Sequence, residues 1–79
     1  MNFSFHPEAL GEYLDAISYY ADVSDRLASS FVLAFEAGVQ NIIEFPETWQ
    51  LLEQGIRRHL IKRFPFGIYY CIENDGIMI

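Results

Sequence analysis

The sequence has a single cysteine, Cys71, so no disulfide can form within the chain and a reducing compartment is expected. No Cys/His pair stands at zinc-ligand spacing, and Glu44, Glu47 and Glu53 have no histidine placed to join them around a metal. There is no glycine-rich phosphate loop. No cofactor and no metal are therefore implied. Positive charge is scarce: five Lys and Arg face eleven Asp and Glu, a net charge of -6. Such a balance argues against nucleic-acid binding through general phosphate neutralisation, and a nucleic-acid role would need a local basic patch. No apolar run approaches the roughly 18 residues of a membrane span, and no basic segment precedes an apolar one at the N-terminus. The expectation is a soluble cytoplasmic protein with no membrane partner.

What the chain does have is apolar and aromatic side chains, 52% and 16% of its 79 residues, enough to exclude disorder and to form one core in one domain spanning 1–79. Asn2 to His6 alternate, with Phe3 and Phe5 on the buried side of a short strand. Pro7 and Glu8 suit a helix start. From there Leu10, Tyr13, Leu14, Ile17 and Tyr20 or Ala21 recur at helical spacing and predict a buried stripe. Asp22 or Ser24 can cap a second helix, which presents Leu27, Phe31, Phe35, Val39 and Ile42 or Ile43. Ala28, Ala34 and Gly38 would let the partner helix approach closely, and Phe45-Pro46 ends the helix. Glu47–Gly55 reads as a connector, with Trp49, Leu51 and Leu52 folded over the edge of the core. The period then changes to two. Ile56–Arg63 and Phe66–Glu73 read as strands broken at Phe64-Pro65-Phe66-Gly67, and Asn74-Asp75-Gly76 as a tight turn into a third strand. The expected fold class is α+β: an N-terminal strand, an antiparallel two-helix hairpin, then an antiparallel β-meander forming a small sheet. The third strand stops after Ile77-Met78-Ile79. An incomplete apolar edge strand there would invite pairing with another chain, giving a homodimer or strand addition by a partner.

The basic residues are clustered. Arg57, Arg58, His59, Lys62 and Arg63 fall within seven positions, and the only other cation is Arg26. On a strand, Arg57, His59, Ile61 and Arg63 form one stripe, a basic one; Arg58 and Lys62 share the other face with Ile56, Leu60 and Phe64, and alternation leaves open which face meets solvent. Either these two cations snorkel past the core edge or a bulge alters the alternation. Such a stripe can bind RNA phosphates, stabilise charge in phosphodiester cleavage, or hold an acidic protein. The plainer reading is a solubilising face that pairs with nearby carboxylates. Tyr69 and Tyr70 point to opposite faces, so one belongs to the core and the other to a surface where it could stack on a base. Tyr13, Tyr19 and Tyr20 belong to the helical stripe or its border and are assigned to the core, His6 is structural, and Cys71 is a buried small hydrophobe.

The succession of pieces resembles the RelE/ParE toxins of bacterial type II toxin–antitoxin, or plasmid stabilisation, modules over nearly the whole chain. The pieces are an opening strand before Pro7-Glu8-Ala9, a second helix running into Ile42-Ile43-Glu44-Phe45-Pro46, then Ile56-Arg57-Arg58 and Phe64-Pro65-Phe66-Gly67-Ile68-Tyr69-Tyr70. The resemblance implies a toxin neutralised by a cognate antitoxin whose amphipathic segment wraps it. It further implies either inhibition of DNA gyrase, as on the ParE side, or ribosome-dependent mRNA cleavage, as on the RelE side. Gly67 stands where the RNA-cleaving branch often carries arginine, and the chain is short of that branch's usual basic and aromatic tail. The ParE side is therefore favoured, with Arg57, Arg58, His59, Lys62, Arg63 and Tyr69 as binding candidates and no catalytic residue assigned. The alternatives are a RelE-like endoribonuclease using the same cations, and a shortened, non-toxic member of the family.

Overall fold

A computed structural model describes residues 2–74 and 76–79. Strand β1 (Asn2–Ser4) leads into helices α1 (Pro7–Val23) and α2 (Asp25–Glu44). Four strands follow: β2 (Gln50–Leu51), β3 (Arg57–Leu60), β4 (Gly67–Glu73) and β5 (Gly76–Met78). They form a five-stranded sheet in the order β1-β5-β4-β3-β2, antiparallel except for the parallel pair β1–β5. The α+β class is as expected, with a mixed sheet in place of a pure meander. The C-terminal strand is not an edge. β5 lies between β1 and β4, with Phe3 opposite Ile77, and the pairing is extended by bonds from Ile79 N–H to the Ser4 carbonyl at 2.9 Å and from His6 N–H to the Ile79 carbonyl at 2.7 Å. Both sides of β5 are already bonded, which removes the expected route to a homodimer through an exposed C-terminal edge; the edges are β1 and β2.

Local chemistry sets the helix ends. Pro7 occupies the first turn of α1, and the His6 ring caps it, Nδ1 accepting from Glu8 N–H at 3.2 Å, so His6 belongs to the cap and not to the strand. Ser24 serves both helices. Its N–H closes α1 on the Tyr20 carbonyl, and its Oγ accepts from Leu27 N–H at 3.0 Å to open α2. Phe45 N–H bonds the Asn41 carbonyl, and Pro46 prevents a further turn.

The buried stripe of α2 is Ala28, Phe31, Phe35, Gly38, Val39 and Ile42, packed on Ile61, Ile68, Tyr70, Ile77 and Ile79. That of α1 lies about one residue from the expected one. Ala9, Tyr13, Ala16, Ile17 and Tyr20 meet the core, while Leu10 and Leu14 turn outward, because the Tyr13 ring stacks on Phe35 at 4.0 Å and thereby fixes the helix rotation. Gly38 faces the sheet and not the partner helix. Phe3, expected inside, is 43% exposed at the β1 edge. In the connector Trp49 packs inward as read, donating Nε1–H to the Asn41 carbonyl, but Leu51 and Leu52 are exposed and Gln50–Leu51 pair with β3. Gln54 and Gly55, both at positive φ, turn β2 into β3; Asn74, also at positive φ, begins the turn from β4 to β5, and Asp75 in that turn lies outside the described residues.

Candidate functional site

The basic cluster straddles β3 and the loop after it, and the fold divides it. β3 ends at Leu60, so Lys62 and Arg63 lie on the 61–66 loop, exposed, with Arg63 at φ 75°. The stripe of Arg57, His59 and Ile61 is the side turned toward the helices: His59 is 8% exposed and Ile61 6%. An arginine is tolerated on that side because its guanidinium finds carbonyls there. Arg57 Nη1 donates to the Glu47 carbonyl at 3.0 Å and to the Trp49 carbonyl at 2.9 Å. Its cross-strand partner Tyr70 donates from its hydroxyl to the Pro46 carbonyl at 2.7 Å. One pair across two strands thus gathers three carbonyls of the segment leaving α2. Burial pushes the Tyr70 phenol up, partly offset by the Arg57 charge.

We expect Tyr70→Phe to lower stability by about 1 kcal/mol and Arg57→Met by about 2 kcal/mol, the usual range for a neutral and a charge-assisted hydrogen bond. The double variant should lose less than the sum by at least ~0.5 kcal/mol, since both groups restrain one segment. Additive losses in urea unfolding would show that the two act independently.

Arg58 and Tyr69 share the open face of the sheet. They are register partners, with Gln50 completing the row, and Arg58 Nη2 donates to Gln50 Oε1 at 2.6 Å. Arg58 Nε is buried without a partner. Gly67, across from Leu60, leaves room for the Leu60 side chain and the Arg58 stem to lie over it; a Cβ there would stand 3.3 Å from Leu60 Cδ2 and 3.4 Å from Arg58 Cγ. Tyr69 is 52% exposed and Tyr70 2%, so Tyr69 is the surface member of the pair. Cys71 is half-buried; its thiol donates to Glu73 Oε1, and burial together with that carboxylate raises its pKa, which disfavours a thiolate.

His59 lies under α2 with its ring 4.1 Å from that of Trp49, and it lines a groove of about 950 Å³ between α2 and the 59–64 segment. Burial lowers its pKa. The folded state therefore binds this proton more weakly than the unfolded chain does. The associated stability is complete above the unfolded value, near 6.5, and is lost as pH falls from there through the lower folded value. His59→Gln should flatten the dependence of the melting temperature on pH below about 6.5; an unchanged slope would place the acid sensitivity in other groups.

The candidates do not meet at one point. Arg57 and His59 point inward, Arg58 and Tyr69 sit on the open sheet face, and Lys62 and Arg63 flank the groove. Sequence reasoning missed the Arg57–Tyr70 clamp, for which periodicity carries no signal, and the groove. The groove did have a signal: Ser30, Ala34, Ala37 and Asn41, recurring at three and four residues, mark a second, small-residue face of α2.

Neither the curated proteins nor the solved structures gave a match to this chain. A family model does match, and it covers residues 3–79, from β1 to the residue that follows β5. A match along the whole strand–hairpin–sheet succession places the chain in the family described as the ParE toxin of the type II toxin–antitoxin system, parDE.

Proposed function

We propose that this toxin is neutralised by a cognate antitoxin and acts in the cytoplasm by binding a protein target such as DNA gyrase, without cleaving RNA. The observation that carries this reading is the dispersal of the basic cluster. Phosphodiester cleavage needs an acid–base pair and cations converging on one phosphate. Here the Arg57 guanidinium is bound to two carbonyls and Arg58 lies on the other side of the sheet, so that of the cluster only Lys62 and Arg63 line the groove with His59, which is 8% exposed. An exposed surface combining Tyr69, Leu60 and the Arg58 head has the aromatic, apolar and guanidinium content of a protein-binding patch. Among the described residues, no helix is long and apolar enough to cross a membrane.

Growth after induction of the chain, with and without the small open reading frame beside its gene, tests this directly. The expected result is arrest rescued by that neighbour, loss of gyrase supercoiling activity with the purified chain, and intact message in a ribosome assay. Cleaved message would replace the reading with a RelE-like ribonuclease. Normal growth with folded protein would replace it with a non-toxic family member.

A further inference from the structure

The groove between α2 and the 59–64 segment has the make-up of a small-molecule site. Its volume of about 950 Å³ stands at the upper end of the roughly 300–1,000 Å³ typical of such sites. Its walls are mainly apolar, with Leu27, Leu33 and Phe45 from α2 and its end, and Leu60 and Phe64 from the other side. Polar groups are few, and one of them lies deep: His59, more than nine-tenths buried. Among the described residues its ring nitrogens take part in no side-chain hydrogen bond, and the side-chain atoms sealed from solvent without a partner are limited to Arg58 Nε. The imidazole nitrogens are therefore open to the groove, and a neutral ring offers one donor and one acceptor there. A partner surface laid across the rim stops short of them. An occupant that enters the groove reaches them.

The charge of the groove is opposite to that of the molecule. The chain carries eleven carboxylates and a net charge of -6, yet no Asp or Glu lines the groove, while Lys62 and Arg63, two of the five Lys and Arg residues, do. Both are exposed, and among the described residues neither donates a side-chain hydrogen bond to the protein. We propose that the groove binds a small organic acid: an apolar, ring-containing body covered by the leucine and phenylalanine walls, one anionic group held by Lys62 and Arg63, and one hydrogen-bonding atom of the body on His59. A neutral apolar molecule leaves the two cations unused, and a cationic one is repelled by them. The proposal is independent of the toxin's target and of its neutralisation, since it draws only on the shape, charge and unused polar group of the groove.

The test is titration of the full chain, 15N-labelled, with two fluorescent probes, 8-anilinonaphthalene-1-sulfonate and N-phenyl-1-naphthylamine, which share their rings and N–H and differ by the sulfonate. The sulfonate probe should bind one molecule per chain and shift the resonances of Ala34, Ala37 and the His59 ring. The neutral probe should bind about 10-fold more weakly, the scale of two partly screened charge contacts. Lys62→Gln with Arg63→Gln should remove that difference, weakening the sulfonate probe about 10-fold and leaving the neutral one within about 3-fold. His59→Leu, which keeps an apolar floor without a hydrogen bond, should weaken both probes by about 5-fold. Ala37→Trp, at an exposed position of the α2 wall, should block both, whereas Leu14→Ala on the outer side of α1 should leave both unchanged. Equal affinity for the two probes would overturn the acid. Several probes per chain with the groove resonances unmoved, or no binding, would overturn the site. Concentration-dependent shifts of the same resonances without any probe would assign the groove to a second copy and likewise overturn the proposal. Should Ala37→Trp fail to fold, the shifts of the unaltered chain and the comparison of the two probes still decide.

Discussion

Replacing Phe31 by alanine should lower the unfolding free energy by about 3–5 kcal/mol, the cost of deleting a fully buried aromatic ring whose space cannot close. A domain of this length has a total stability of roughly 4–12 kcal/mol, so the variant should lose about a quarter of it or more, and at the low end of that range be largely unfolded. The reason for so large an effect is the position of the ring. Phe31 is 0% exposed, and its centroid lies 5.0 Å from Tyr20, 5.2 Å from Phe66, 5.3 Å from Phe64 and 6.0 Å from Tyr13. The Phe64 and Phe66 rings both meet it edge-on at 81°, an arrangement that adds about 0.5–1.5 kcal/mol per pair beyond area burial. One side chain of α2 therefore joins α1 to the loop between β3 and β4. Urea unfolding followed by circular dichroism gives the number, with Phe3→Ala, at the 43% exposed strand edge, as a comparison expected to lose less than ~1 kcal/mol. Equal losses for the two would mean that the aromatic cluster is not the centre of this fold.

The parts of the structure legible in the sequence are those fixed by chemistry within a few residues. Pro7, Ser24 and Pro46 set the helix ends because a missing N–H, a capping hydroxyl and a ring clash act on their immediate neighbours. The α2 stripe was legible because the large apolar residues of the helix, Leu33 apart, gather on one side of it. α1 offers two adjacent apolar stripes, one through Leu10 and Leu14 and one through Ala9, Tyr13 and Ala16, and periodicity cannot choose between them. The choice is made by the Tyr13–Phe35 contact, which joins residues far apart in sequence. β3 fails in a different way. Its alternation is legible but not which stripe meets solvent, because Arg57 is accommodated inward by carbonyls supplied from the segment after α2. The position of β5 depends on β1 coming beside it, a parallel pairing of the first strand with the last that leaves no trace in either local pattern. For the site, the sequence identified the basic cluster as the distinctive polar feature. It could not show that the fold separates that cluster into a clamp, an open face and a groove rim.

Gly38 supplies the sharpest test of how α2 meets the sheet, because two opposing effects can be weighed there. In an exposed helix interior, Gly→Ala stabilises by roughly 0.5–1 kcal/mol, through lower backbone entropy in the unfolded chain and better helix propensity. Gly11 in α1 is such a position: nothing lies within 4 Å of a Cβ built there, so Gly11→Ala should stabilise by that amount. At Gly38 the same atom would stand 2.9 Å from Ile61 Cγ2, 3.0 Å from Ile68 Cδ1 and 3.3 Å from His59 Cδ2. Ile61 and Ile68 are 6% and 1% exposed and both belong to the core cluster, so moving either disturbs its packing. Overpacking of this kind costs about 1–3 kcal/mol, which outweighs the propensity gain, and Gly38→Ala should be destabilising by about 1 kcal/mol net. Gly38→Leu adds three more carbons to a space that does not hold one, and should remove on the order of 3 kcal/mol or more, a quarter or more of the roughly 4–12 kcal/mol of the domain. Opposite signs at the two glycines, measured as melting temperatures of the single variants, would show that α2 lies directly on β3 and β4 at Gly38. A stabilising Gly38→Ala would mean instead that the helix stands farther from the sheet, with Ile61 and Ile68 free to move.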